Sequence, residues 1–183
     1  MIEITTVSTN NELEQIHALN KENIKHGLSA EEKQEQGFVT WLYSLELLQQ
    51  MHKLVPSIIA KDGDKVVGYA LVTPREASSF HPDLATMISH TEKVIYKDKP
   101  LHDFRYYIMG QICIAKEYRS KGLFNKLYQH HKTLHSNDFD LLVTEVSTSN
   151  ARSQRAHEKV GFTTIHTYRD ADDEWNVVVW QFN

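Results

Sequence analysis

The sequence is short of several things that would have fixed its class at once. One cysteine, Cys113, stands among its 183 residues, so no internal disulfide can form, which fits a reducing compartment. No apolar run approaches the roughly 18–20 residues that a membrane span needs, and no membrane is expected as a partner. The start, MIEITTVSTN, lacks a basic n-region and an apolar h-region, so a cytoplasmic location is expected. Positive charge is not in excess either. The formal net charge is −4, whereas a general nucleic-acid binder is usually basic, so nucleic acid is not an expected partner. Neither G-x-x-x-x-G-K-[ST] nor G-x-G-x-x-G occurs, so the chain has no P-loop and no dinucleotide fingerprint. Repeats, linkers and low-complexity tracts are missing too, and the length suits one domain spanning 1–183.

What is present is a regular alternation of patterns. Ile2–Val7 alternate as a short strand, and Ser8 to Asn11 offer caps for a helix carrying Leu13, Ile16, Leu19 and Ile24. Ser29 with Glu32 has capping-box spacing. Leu45, Leu48 and Met51 mark a second helix, with Ser44 as its cap. Two β-branched runs flank Asp62-Gly63-Asp64 and predict a hairpin. An excursion at about 75–105 follows, with Pro82, Pro100 and a short helical pattern near Leu84–Ile88. Connections of that length inside a compact domain are often functional. Next comes a strand near Tyr106–Ile114, then a helix whose apolar face is Phe124, Leu127, Tyr128, His131 and Leu134. The strand DLLVTEVST, a helix stopped by Gly161, and a closing hairpin around Asp170–Asp173 complete the order. That order predicts an α/β (α+β) fold on one mixed sheet.

The turn EYRSKGLFNK, Glu117 to Lys126, lies between a strand and a helix. A helix N-terminus leaves about four N–H groups without partners and, with the macrodipole, suits a phosphate. Gly122 lets a ligand approach the backbone, and Arg119 and Lys121 add charge. On this turn alone, an ordinary connection explains the pattern as well as an anion seat does.

A second stretch, NARSQRAHEKVGF at 150–162, bears on that choice. Together the two stretches resemble the GNAT superfamily of acyl-CoA-dependent N-acyltransferases. Its phosphate loop reads Q/R-x-x-G-x-G/A, with Arg119 and Gly122 here in the first and fourth places; its later motif matches at Asn150, Glu158, Lys159, Gly161 and Phe162. The resemblance covers about 104–165 directly. It implies a GNAT fold: a central mixed, mostly antiparallel sheet with splayed middle strands, flanked by helices. It implies acetyl-CoA as acyl donor and an amine as acceptor, joined by direct attack. The pyrophosphate would lie on the backbone of Arg119, Ser120, Lys121, Gly122, Leu123, Phe124 and Asn125. The pantetheine arm would follow Ile112, Cys113 and Ile114, with Asn150 and Ser153 beside it. Members of the superfamily carry a base glutamate at the spacing of Glu145, five residues before Asn150. His157 occupies the place of a frequent acid tyrosine, and histidine can donate a proton near neutrality. Phe38, Trp41, Tyr43, Phe80 and His81 fall where the superfamily often builds its acceptor pocket. Two departures, Phe124 for glycine or alanine and His157 for tyrosine, leave an alternative open: a CoA-binding module without catalysis. Transfer of a different acyl group is another. Phe124 is expected to point into the core with Leu127 and Tyr128.

Other residues have plainer readings. Cys113 in an apolar strand reads as a small buried hydrophobe rather than a nucleophile. His130, His131 and His135 read as a packed or solvated helix face, since H-E-x-x-H is absent, and no metal is expected. The acidic turn RDADDEW reads as a solvated hairpin tip. Apolar strand edges would permit a homodimer.

Overall fold

The computed structural model describes residues 1–24, 27, 29, 38–171 and 173–182. Its strands are β1 (Ile2–Thr6), β2 (Ile58–Asp62), β3 (Lys65–Thr73), the short pair β4 (Ile95–Tyr96) and β5 (Lys99–Pro100), β6 (Tyr106–Ile114), β7 (Leu141–Ser147), β8 (Thr163–Arg169) and β9 (Glu174–Gln181). The helices are α1 (Asn10–Glu22), α2 (Leu45–Leu54), α3 (Pro82–Thr91), α4 (Leu123–His135) and α5 (Ala151–Val160). Seven strands form one sheet in the order β1-β2-β3-β6-β7-β9-β8, and only β6 and β7 pair in parallel.

Alternation along the central strands sorts side chains onto the two faces. Tyr69 and Leu71 of β3, Ile108 of β6, Val143 of β7 and Val177 of β9 join one core with α1, α2 and α3. Their neighbours Ala70, Val72, Met109, Leu142 and Val178 join the other, under α4. Each large aliphatic side chain so buried contributes about 1.5–3 kcal/mol.

Local signals set the helix starts. Thr9 and Glu12 form a complete capping box on α1, and Lys61 of β2 adds an ion pair to Glu12 at 2.7 Å. Burial alone would raise the Glu12 pKa; Lys61 and the Ser8 and Thr9 donors outweigh it and hold the group at about 2. Ser44 caps α2 as expected, accepting from Leu47 N. The second capping-box expectation involves Glu32, which lies outside the described residues.

Three expectations change. The short helix of the excursion runs longer, over Pro82–Thr91, with the β4–β5 pair behind it. On α4 the buried side is Leu123, Leu127, Tyr128 and His131, while Leu134 is 41% exposed, because the helix enters the core one residue earlier. The outer strand β8 is not apolar: Thr163, Thr164, His166, Thr167 and Arg169 are all exposed, which suits an edge left to water. Among the described residues no helix is long and apolar enough to cross a membrane.

Candidate active site

The site begins where β6 and β7 part. Their pairing covers only Tyr106–Ile108 against Leu141–Val143. At the fork the Thr144 hydroxyl donates to Met109 O at 2.8 Å, and beyond it β6 runs on to Ile114 without β7. The open wedge leads into two cavities.

The first holds about 700 Å³ and is walled by Ile112, Cys113 and Ile114, by the 119–125 turn and by α5. Arg119, Arg152, Arg155 and Lys159 line it, with no carboxylate among the described residues. The backbone of the turn is set by two left-handed residues, Ser120 (φ 61°) and Gly122 (φ 77°). Gly122 is the N-cap of α4 and has no side chain to cap with, so the first amides of α4 receive no capping group. A Cβ at Gly122 would meet nothing within 4 Å, so the space above these amides is open. Open amides, a helix N-terminus and four cations suit a polyanion such as the phosphates of CoA.

Side chains of the turn have separate tasks. Arg119 donates from Nε to Ile114 O at 2.9 Å and from its guanidinium to Asn23 Oδ1, tying the turn to the end of β6 and to the end of α1. Lys121 lies over the Tyr118 ring, 5.2 Å from its centroid, and does not line the cavity. Phe124 is half-buried rather than sunk in the core. Its ring meets Tyr128 and His157 edge-on at 5.2 and 5.1 Å, and it forms part of the wall. Burial pushes the Cys113 thiol up to about 12, so it stays protonated.

The second cavity, about 670 Å³, lies on the other side of the wedge. Its wall carries Asp83, Glu145, Asp170 and Asp173, the aromatic rings of Phe38, Trp41, Tyr43, Tyr168 and Trp175, and no lysine or arginine among the described residues. Gly110 belongs to this wall, where a Cβ would run into Thr73 Oγ1 and Tyr43 Oη. The two cavities share Phe38, Val39, Ile112, Asn150 and Ser153.

Glu145 points into this second cavity with its side chain 12% exposed. Tyr168 Oη donates to Oε2 at 2.9 Å and Thr91 Oγ1 lies 3.4 Å from Oε1. Burial raises the pKa of Glu145 to about 7, with the two hydroxyls opposing and Asp170 adding to it. The His90 ring stands 4.0 Å from the Tyr168 ring and its Nδ1 is 4.0 Å from Oε1; burial, then His166 and Lys93, lower the pKa of His90.

His157 is 2% exposed. Its Nδ1 is 2.8 Å from Ser153 O and its Nε2 is 2.7 Å from Tyr128 Oη. Burial lowers its pKa to about 4. A buried neutral ring engaged at both nitrogens is poorly suited to the acid role expected from its position. Asn150 caps α5 through Ser153 N at 3.2 Å and donates to Phe38 O at 3.0 Å, holding the junction of the two cavities together.

Of the expected acceptor residues, Phe38, Trp41 and Tyr43 line the second cavity and Phe80 and His81 do not. His81 instead caps α3 and packs edge-on against Trp41 at 5.1 Å, and Phe80 rests against the first core. Sequence reasoning missed His90, Tyr168 and Trp175, and read the acidic turn as solvent-facing although Asp170 and Asp173 face the cavity. The residue Asp172 between them lies outside the described residues. Among the described residues no group of three metal-ligating side chains occurs. His131, from the histidine-rich helix, is buried with Nδ1 2.9 Å from Tyr107 Oη.

The sheet with its fork, the 119–125 turn and the capped helix α5 define a class. The chain belongs to the acetyltransferase (GNAT) family, whose sequence profile matches residues 14–162, and it is thereby an acyltransferase. Solved structures agree on the fold. The ribosomal-protein-S18-alanine N-acetyltransferase of Escherichia coli is 14% identical, with 100% of this chain and 94% of that one covered and a TM-score of 0.64. Ard1 of Thermoplasma volcanium is 13% identical over 98% and 97% of the two chains, with a TM-score of 0.67. The Salmonella typhimurium protein yncA, solved with its cofactor acetyl-CoA, is 13% identical over 100% and 94%, with a TM-score of 0.64. No curated protein sequence matches the chain.

Proposed function

We propose that the protein moves an acetyl group from acetyl-CoA to a primary amine of a small molecule or peptide by direct attack on the thioester. The observation that carries this reading is the meeting of two cavities of opposite charge at one short wall, with a desolvated carboxylate lining the second. Acetyl as the group moved is supported by the acetyl-CoA of the Salmonella typhimurium neighbour.

The CoA phosphates would rest on the amides of 119–125 among the cations, and its pantetheine arm along Ile112–Ile114. The acceptor enters the acidic, aromatic cavity, where an ammonium is attracted by the carboxylates and by ring faces. An alkyl amine has a pKa around 10 and must lose a proton to attack. Glu145, held at about 7, is partly ionised at neutral pH and is a stronger base than an ordinary carboxylate. A cytoplasmic location is part of this reading, in keeping with a chain whose one cysteine can form no internal disulfide.

Binding of the donor is tested by melting. A hundredfold excess of acetyl-CoA over its Kd contributes about 2.7 kcal/mol. For a chain of this size that raises Tm by roughly 5–10 °C. An unchanged Tm at millimolar acetyl-CoA would contradict the reading.

A further inference from the structure

The arrangement around His157 decides where its hydrogens are. Ser153 O is a carbonyl and can only accept, so His157 Nδ1 carries the proton of that 2.8 Å bond. Burial favours the neutral ring, and a neutral ring protonated at Nδ1 leaves a lone pair on Nε2, to which Tyr128 Oη–H donates at 2.7 Å. Nδ1 also lies 3.3 Å from Ser153 Oγ. Since Nδ1 already holds a proton, the Ser153 hydroxyl accepts there and cannot donate. His157 is the only hydrogen-bonding partner of Ser153 Oγ among the described residues. The Ser153 O–H is therefore left to point elsewhere.

Its location gives that hydrogen a use. The thioester must react where the donor and acceptor cavities meet, and the shared wall there is Phe38, Val39, Ile112, Asn150 and Ser153. Three of these side chains are hydrocarbon. Asn150 is committed at both ends of its amide, to Ser153 N and to Phe38 O. Among the described residues, Ser153 supplies the only hydroxyl of that shared wall.

We infer that the Ser153 hydroxyl donates a hydrogen bond to the sulfur as the carbon–sulfur bond breaks, with His157 and Tyr128 as the positioning residues that aim it. The step balances without a further reactant. The ammonium's first proton passes through Glu145 to solvent; the neutral amine nitrogen then bonds to the carbonyl carbon, the carbon–sulfur electron pair goes to sulfur, and the nitrogen's second proton goes to Glu145. The thiolate keeps the Ser153 hydrogen bond until solvent protonates it. The inference rests on the acetyl-transfer reading, and the test separates the two.

Free CoA release with saturating amine is measured for the wild type, Ser153→Ala and Ser153→Thr, alongside melting with and without acetyl-CoA. Alanine is a good helix former and the Ser153 amide bond to Asn150 is kept, so folding is preserved. We expect Ser153→Ala to lower kcat by about 10²-fold, the lower end of the scale for loss of one transition-state donor. Its KM for acetyl-CoA and its acetyl-CoA melting shift should stay unchanged, and Ser153→Thr, which keeps the hydroxyl, should recover most of the rate. Full kcat in Ser153→Ala overturns the inference, as does a loss confined to KM. A wild type that releases no CoA with any amine overturns the acetyl-transfer reading itself.

Discussion

Glu145 carries opposite consequences for activity and for stability. Its carboxyl has a folded-state pKa of about 7 against 4.5 for the free group, because burial disfavours the charge. A raised acid pKa means that the folded state holds its proton longer than the unfolded state does. The favourable contribution is therefore complete below pH ~4.5 and is lost as pH rises towards 7, a difference of about 3 kcal/mol. Glu145→Gln removes that loss. Urea unfolding should find the variant more stable than wild type at pH 8 and nearly equal to it at pH 4.5; equal stability at pH 8 would mean that the carboxyl is not desolvated. The same change should lower kcat about 10²–10⁴-fold, the usual range for a general base, with acetyl-CoA affinity kept. Glu145 could be picked out as a candidate base in advance because of its spacing from Asn150. Its partners were not: Thr91 is 54 residues away, and Tyr168 is 23 away on a strand that reaches Glu145 only through β9. His157 illustrates the converse, since its motif position was plain while the tyrosine and carbonyl that fix its proton were not.

At the scale of elements, the turn before α4 depends on backbone shape more than on side-chain charge. Gly122 sits at φ 77°, in the left-handed region that L side chains avoid, and the space beyond it is open. Gly122→Glu would place a carboxylate at the uncapped start of α4, where the phosphates are expected. The strain costs about 1–2 kcal/mol of stability, and the melting shift with acetyl-CoA should vanish. A normal shift in a folded Gly122→Glu protein would show that CoA does not use this turn. Gly122 and Gly161 could be read in advance because a positive φ leaves a glycine in the sequence. The bonds that tie Arg119 to Ile114 O and to Asn23 could not be read in advance, since Asn23 lies 96 residues away in the sequence. The buried side of α4 slipped because periodicity fixes a stripe only to about one residue, and Leu123 rather than Leu134 meets the second core. The excursion was legible as an irregular segment, but its role in walling the second cavity through Asp83, Leu84, Met87 and His90 of α3 needed the packing of α3 against the sheet.

Over the whole molecule, the parting of β6 and β7 creates the site, and charge divides it. The first cavity gathers Arg119, Arg152, Arg155 and Lys159 from two separate segments; the second gathers carboxylates from α3, β7 and the β8–β9 turn. A net charge of −4 conceals this division, which is why composition alone could speak against nucleic acid yet say nothing of an acceptor. The alternating strands made the mixed sheet readable, while the fork is a tertiary event marked by Thr144 reaching Met109 O. Because the acceptor cavity is acidic, cationic amines should react faster than neutral or acidic ones of similar size, with a rate that falls as salt rises. The most direct measurement is free CoA release from acetyl-CoA across a panel of primary amines, with wild type and Glu145→Gln side by side over pH 5.5–9. The account predicts amine-dependent release by the wild type, strongest with cationic acceptors, rising through an apparent pKa near 7 that disappears in the variant. Bound acetyl-CoA with no amine-dependent release, or equal turnover by the two proteins, would contradict it.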